Sequence, residues 1–572
     1  MLFKKEDCIL SAELQKFANF FNIKANIISY ILYVKRTENC YTAFEILKKH
    51  KKETRIIHAP NKTLKNIQRN IAKKLHELQQ DIDRKNNIKT NISHGFEKNK
   101  NIATNAMIHK NKRYILNIDL ENFFNSFHFG RVMGYFNKNR YFNFDKKMSI
   151  IIAQLCCLNG ALPQGAPTSP IISNLICRIF DYRILKIAKK YKLNYTRYAD
   201  DLTFSTNDNF FLHHYDNFLK DISSEIQKSG FKINKNKTRL QYKNSKQVVT
   251  GLVVNKFINT ERMYYKTTRA MAYNLYKSGS FTINDKEGEL NQLQGRFNFI
   301  LNIKSYSPVI QKDIKNNILH SKEKEYQKFL FYIFFYINTK PLLITEGKTD
   351  ILYIKAALKN MYKNYPGFII KSDNKFDYKI AFFKRSSKNI EEYLNIKKDG
   401  GHELVKIIIY YFNKKYFDFF YNLNKNITPN NPVIILVDNE KAKDKPLETL
   451  KKNIPQAYRN DLNFKEKPWF RIGDTNLYIL TYRSNPNLKD IEIEDLLEEG
   501  FIKELKIQNR VFDKTANKDS ELYFSKNTLA NYVYKNYLKI NFNNFKFIFD
   551  DIQDIINDHN NHYPINQTLH TL

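Results

Sequence analysis

Residues 193–206 read LNYTRYADDLTFST. β-Branched and aromatic residues flank Tyr198-Ala199-Asp200-Asp201 on both sides, which predicts two strands joined by a tight turn with the carboxylates at its tip. Adjacent aspartates repel one another unless a cation lies between them, so the pair points to a divalent metal. Alone, such a turn is an ordinary solvated loop. Its counterpart lies upstream in YILNIDLENFFNSF (residues 114–127), where an apolar run ends abruptly in Asp119. Asp119, Asp200 and Asp201 supply the hard oxygen donors of a cage for two Mg²⁺ ions, the arrangement that clamps attacking and leaving oxygens in phosphoryl transfer.

Four stretches follow in order: NIDLENFF from Asn117, LPQGAPTSPIISNL from Leu162, YADD from Tyr198 and GFKINKNKTRL from Gly230. Together they resemble the palm motifs of reverse transcriptases. NAMIH (residues 105–109) and VTGLVVN (residues 249–255) resemble two signatures peculiar to retron reverse transcriptases, and the likeness spans about residues 20–330. It implies an α+β right-hand polymerase with fingers, palm and thumb. By that resemblance Phe124 is the bulky gate that clashes with a 2′-OH and selects dNTPs over rNTPs. Read from the residues alone, Phe123, Phe124 and Phe127 equally fit an apolar helical face. Gln164 can hydrogen-bond the incoming nucleotide or template, and Gly165 lets the backbone approach a ligand closely. Lys237 lies, by the resemblance, near the triphosphate, as general acid toward the leaving pyrophosphate.

RIIHAPNKTLKNIQRNI, from Arg55 to Ile71, predicts a short strand, a Pro-Asn turn and an amphipathic helix. Arg55 and Lys65 would stand at the junction, either as triphosphate-binding cations, as in the fingers of reverse transcriptases, or as a solvated basic face. A lone histidine at a helix end is more often structural than catalytic. Asn105 and His109 are therefore expected, with Val249, Thr250 and Gly251, to form a retron-type structural or RNA-contacting element.

Across 572 residues, 42% hydrophobic content excludes wholesale disorder. Lys+Arg of 94 against Asp+Glu of 57 gives a net charge of +37, spread along the chain, the footprint of a polyanion binder. Cys8, Cys40, Cys156, Cys157 and Cys177 show no metal-ligand spacing; with no signal peptide they predict reduced thiols in a cytoplasm. FLFYIFFYI, from Phe329 to Ile337, is too short to span a bilayer and is expected as a buried helix.

The expected domains are an N-terminal helical region (1–50), fingers and palm (51–250), a basic, helical, RNA-binding thumb (251–338), a third domain (339–500) and an extension (501–572) with no assignable chemistry. In the third, PLLITEGKTDILYIKAAL predicts a strand ending at Glu346-Gly347 and a helix opening near Thr349-Asp350. NPVIILVDNEKAKD predicts a second strand ending in Asp438, with Glu440 two positions on. Carboxylates at two strand ends match ligand and metal sites at the edge of an open α/β sheet. The pattern resembles the TOPRIM domain, an α/β fold with a mainly parallel sheet, and KKDGGHELVK with Gly400-Gly401 resembles OLD-type nucleases in particular. IEIEDLL, with Glu494 and Asp495, falls where that group carries a further acidic element. TOPRIM domains usually have Asp-x-Asp where this chain has Asp438-Asn439-Glu440; glutamate still offers an oxygen ligand on a longer arm. Glu346, Asp438 and Glu440 are thus the expected catalytic and Mg²⁺- or Mn²⁺-binding residues.

The resemblance implies a retron reverse transcriptase making a branched, RNA-linked single-stranded DNA (msDNA) from a cognate non-coding RNA, fused to a TOPRIM nuclease for antiphage defence. Its partners would be that RNA, the msDNA, dNTPs and a nuclease substrate, RNA or DNA, with tRNA among the candidates; no membrane is implied, and a homo-oligomer only by analogy. Two rivals stay open. A group II intron-like or diversity-generating reverse transcriptase shares the palm but is not expected to combine NAMIH, VTG and TOPRIM. A nucleic-acid-binding scaffold with an inert TOPRIM domain is kept open by Glu440.

Overall fold

The computed structural model describes residues 3–47, 54–88, 91–307, 312–313, 316, 318–373, 375–385, 388–397, 400–440, 445–459, 467–483, 490–514 and 518–564. Residues 398–399 and 441–444 of the quoted motifs lie outside the described residues. Two compact units divide the chain, Met1–Arg262 and Met263–Leu572.

The first unit opens with helices α1 (Phe3–Phe21) and α2 (Ala25–Ser29), a π-helical turn at Tyr30–Lys35 and a 3₁₀ turn at Thr37–Cys40. The expectation of helix to residue 50 fails beyond Cys40. Tyr41–Leu47 is strand β1, paired antiparallel along its length with β2 (Thr54–Pro60). Its alternating Thr, Phe and Ile suit a pleated strand, and cross-strand pairing satisfies a backbone that the Lys-rich flanks disguise. Strand, turn and helix follow β2 as expected: the Asn61 side chain accepts from Leu64 N at 3.0 Å and caps α3 (Lys62–Lys85). Leu64, Ile67, Ile71 and Leu75 form its buried stripe.

After α4 (Ile102–Ile108), the central sheet has strand order β4-β5-β3-β6, all neighbours antiparallel: β3 is Tyr114–Leu120, β4 Asn194–Tyr198, β5 Asp201–Thr206 and β6 Ile233–Tyr242. Helices α5 (Phe129–Lys138), α6 (Lys146–Cys156), α7 (Ser169–Lys190) and α8 (Tyr215–Lys228) complete it. Ile171, Leu175, Phe180 and Ile184 of α7 enter one core with Leu116, Ile118, Leu202 and Phe204 of the sheet. Two short strands, β7 (Val248–Val249) and β8 (Leu252–Val253), close the unit as a hairpin. Cys40, Cys156, Cys157 and Cys177 are buried free thiols.

The division falls at the start of α9 (Arg262–Ser278), and the second unit continues with a small hairpin of β9 (Thr282–Ile283) and β10 (Lys286–Glu287), and α10 (Leu290–Lys304). The helix Ser321–Phe331 runs on into a π-helical segment, Tyr332–Tyr336, and Phe329, Leu330, Phe331, Tyr332, Phe335 and Tyr336 are buried, as expected for that apolar stretch. No helix among the described residues is long and apolar enough to cross a membrane. A hairpin of β12 (Ile369–Ser372) and β13 (Lys375–Tyr378) flanks a five-stranded sheet, order β14-β11-β15-β17-β16. Strands β14 (Ala381–Phe382), β11 (Leu342–Thr345), β15 (Val433–Val437) and β17 (Leu477–Thr481) are parallel; β16 (Trp469–Arg471) is antiparallel. One face packs on Leu275, Phe297 and Tyr332, so residues of the expected thumb share a core with this sheet. The other face is covered by the helices Asp350–Asn360, Lys526–Lys535 and Lys546–His562.

Candidate active sites

Asp119 sits one residue before the end of β3, and the antiparallel register sets it opposite Asp201, the first residue of β5. Ala199 (φ +54°) and Asp200 form the two-residue turn between β4 and β5, so Asp200 projects beside that pair as expected. Burial first, then Asp200 and Asp119 as neighbours, push the Asp201 carboxyl up to about 7. Burial and Asp119 also raise Asp200, against the pull of Lys237 and Arg55. Lys237 Nζ donates to both Asp119 oxygens, at 2.9 and 3.0 Å, and Asn234 Nδ2 adds a bond at 3.1 Å. Burial opposes the charge on Lys237, but the bond to Asp119 together with the charges of Asp119, Asp200 and Asp201 outweighs it, and its pKa rises.

The carboxylates open into a cleft of about 1300 Å³ lined by Arg55, Phe124, Gln164 and Lys237 among others. Phe123 and Phe127 turn into the core, while Phe124 stays half-buried and faces the cleft. Lys65 does not join them: it stands exposed on α3, outside the cleft lining. Gly165 also departs from expectation. Its φ is +118°, and a Cβ there would meet His58 O at 2.6 Å, while His58 N donates to Gln164 O at 2.8 Å. The close approach at this glycine is by strand β2, which hangs from the LPQG turn.

Asn105 and His109 are buried behind the β4–β5 hairpin, out of reach of RNA in this fold, which leaves their structural reading. His109 Nε2 lies 2.7 Å from Thr196 Oγ1 on β4, and Nδ1 2.7 Å from Ser205 Oγ on β5. Because the Thr196 hydroxyl donates to Asn105 Oδ1, it accepts from Nε2–H, and Nδ1 accepts from Ser205. Burial lowers the His109 pKa to about 3, keeping it neutral in this brace. Val249 is buried, and the turn Thr250-Gly251 (φ +46° and +81°) joins β7 to β8. Thr250 Oγ1 donates to Ile102 O at 3.2 Å, so the VTG turn is tied to the start of α4, the helix that carries most of NAMIH.

Residues 46–254 match the family Reverse transcriptase (RNA-dependent DNA polymerase). The chain is 36% identical over 273 residues to the retron Ec86 reverse transcriptase of Escherichia coli, covering 47% of this chain and 78% of that protein. It is 32% identical over 261 residues to the retron Ec83 reverse transcriptase of E. coli, covering 44% of this chain and 78% of that protein. It is 32% identical over 239 residues to the retron Mx65 reverse transcriptase of Myxococcus xanthus, covering 38% of this chain and about half of that protein, 52%. The chain belongs to the retron reverse transcriptases. That membership separates it from the group II intron-like and diversity-generating alternatives.

This retron reverse transcriptase carries a second carboxylate centre at the ends of β11 and β15. Glu346 follows β11, and Asp438 and Glu440 follow β15. Burial first, then Glu440, raise the Glu346 pKa; its Oε2 is buried with no hydrogen-bond partner among the described residues. Burial, with Asp350 and Glu346, raises Asp438 well above the carboxylate range. Arg385 donates to the backbone carbonyls of Glu346 and Gly400, and a Cβ on Gly401 would meet the Glu346 carboxyl carbon at 2.7 Å. The Gly400-Gly401 loop thus lies against Glu346. Asn439 points away, its Nδ2 on Tyr482 O at 2.8 Å and its backbone bridged to Ile491, which brings Glu492 and Glu494 alongside. Burial raises Glu494 to about 7.

Sequence reasoning missed several groups here. Asp350, expected only as a helix opener, is buried in the centre and raised by burial to about 6, with its Oδ2 on Gly347 N at 2.7 Å. Lys445 sits 2.6 Å from Glu440, and Lys526 2.7 Å from Glu492 and 3.8 Å from Glu494. Lys526 belongs to the extension for which no chemistry was expected. No spacing signal announces it, because only the fold brings it near Glu492. Among the described residues, no three carboxylate, imidazole or thiol groups converge into a finished metal site in either centre.

Proposed function

We propose that the first unit copies a cognate non-coding RNA into msDNA, beginning from a 2′-OH of a guanosine in that RNA. The reading is carried by Asp119 facing Asp201 across neighbouring strands, with Asp200 at the turn between them. Three crowded carboxylates suit two Mg²⁺ ions: burial and mutual repulsion raise Asp201, and a cation, Lys237, already sits on Asp119. Asp119, Asp200 and Asp201 would hold the ions, which supply charge stabilisation for in-line phosphoryl transfer. Arg55 and Lys237 would bear the dNTP phosphates, Gln164 would position the base, and Phe124 would exclude a 2′-OH. Lys65, exposed on α3, is withdrawn from this set.

The second unit would be a TOPRIM nuclease effector in antiphage defence. Its parallel sheet ends in Glu346 and Asp438, and the orphaned Glu346 Oε2 suits Mg²⁺ or Mn²⁺ held by Glu346, Asp438 and Glu440. A second reading, a domain that binds nucleic acid without cutting it, is favoured by Lys445, which neutralises Glu440. Incubating the purified full chain with plasmid DNA, single-stranded RNA and tRNA, in Mg²⁺ and in Mn²⁺, separates the two. Cleavage lost in Glu346→Ala supports the nuclease. Binding without cleavage in wild type supports the second reading.

A further inference from the structure

Phe96 lines the cleft beside the aspartates, yet carries no polar group to bind metal, phosphate or base. Its φ is +62°, a left-handed conformation that disfavours any residue but glycine, asparagine or aspartate. Burial does not compensate, since the residue is 43% exposed. A large apolar ring placed at strained backbone and left open to a cleft has a reason other than core packing.

The loop that carries it is firmly held. His94 N donates to Arg197 O, Arg197 N donates to Ile92 O, and Asn174 Nδ2 donates to Gly95 O, at 2.8, 2.9 and 2.8 Å. Gly95 lies so close under the aspartate turn that a Cβ would meet Ala199 N at 2.6 Å. The position of Phe96 is therefore tied to that of Asp200. Its ring centroid stands 6.2 Å from that of Phe124, planes inclined by 47°, while Phe124 rests on buried Phe123 at 5.4 Å. The half-buried Phe124 ring thus has two ring neighbours, buried Phe123 and exposed Phe96.

We propose that Phe96 is a positioning residue for sugar selection: it flanks Phe124 so that the ring stays across the path of a 2′-OH instead of rotating aside. This rests on Phe124 being the gate. A side chain at a cleft wall has staggered alternatives, and a neighbouring ring removes the outward ones.

The test measures kcat/KM for single dNTP and rNTP additions by the full chain on an RNA template, in wild type, F96A, F96L, F96Y and F124A. The dNTP/rNTP ratio should fall about tenfold in F96A and F96L, mainly through faster rNTP addition, and hold in F96Y, which keeps a ring. F96L keeps an apolar side chain but lacks the ring, and reads the same effect should F96A fail to fold. If F124A relaxes selection while F96A and F96L stay within twofold of wild type, the role of Phe96 is overturned and the gate stands. If F124A itself leaves the ratio unchanged, the gate assignment falls and the inference with it.

Discussion

Asp201 bears the sharpest charge conflict of the palm, half-buried and facing two further carboxylates. Asp201→Asn keeps its shape and removes that charge. RNA-templated dNTP incorporation should fall at least about 100-fold, while the melting temperature stays level or rises. His109 makes the opposite case, a residue whose value is structural. Above pH 6.5 it is neutral in both folded and unfolded chains, and its contribution is complete. Below that, the unfolded chain binds a proton that the folded chain refuses until about pH 3, so stability is lost as pH falls through this window. His94, lowered by burial to about 4, adds a loss of the same sign. Urea melts of His109→Gln should show roughly 1–3 kcal/mol lower stability at pH 7.5 but a smaller further drop at pH 5 than wild type. Residue type and order made the three aspartates, Gln164 and Phe124 legible in the sequence. The neighbour at Gly165 was not, because what approaches it is a strand roughly one hundred residues upstream, at His58.

At the scale of elements, period and punctuation carried most of the fold. The YADD hairpin, the strand, Asn61 cap and helix from Arg55, and the carboxylates closing β11 and β15 all follow local rules of alternation and capping. Strand β1 escaped because its β character lies in pairing with β2, and pairing is not local. Elements also hold one another in register at points where only glycine fits. Gly95→Ala would drive a methyl into Ala199 N and shift the aspartate turn. A displacement on the order of 1 Å there should lower incorporation by about 100-fold, with KM for template little changed, as steady-state kinetics on an RNA template would register.

At the scale of the whole molecule, a charge of +37 makes RNA binding an ion-release process. Filter-binding affinity for a structured RNA should fall by about 1,000-fold between roughly 50 and 200 mM salt, whereas an uncharged interface would hardly respond. The two centres belong to separate compact units, so their losses should separate. Glu346→Ala should leave DNA synthesis intact, and the aspartate variants should leave the second centre folded. The most direct measurement takes the full chain purified from cells that carry its own locus, digests the copurifying nucleic acid with RNase and runs it on a denaturing gel. A discrete short single-stranded DNA, present in wild type and Glu346→Ala but absent from the Asp200→Asn/Asp201→Asn double variant, is the predicted result. No DNA in wild type, or DNA that persists without both aspartates, would contradict msDNA synthesis at this site.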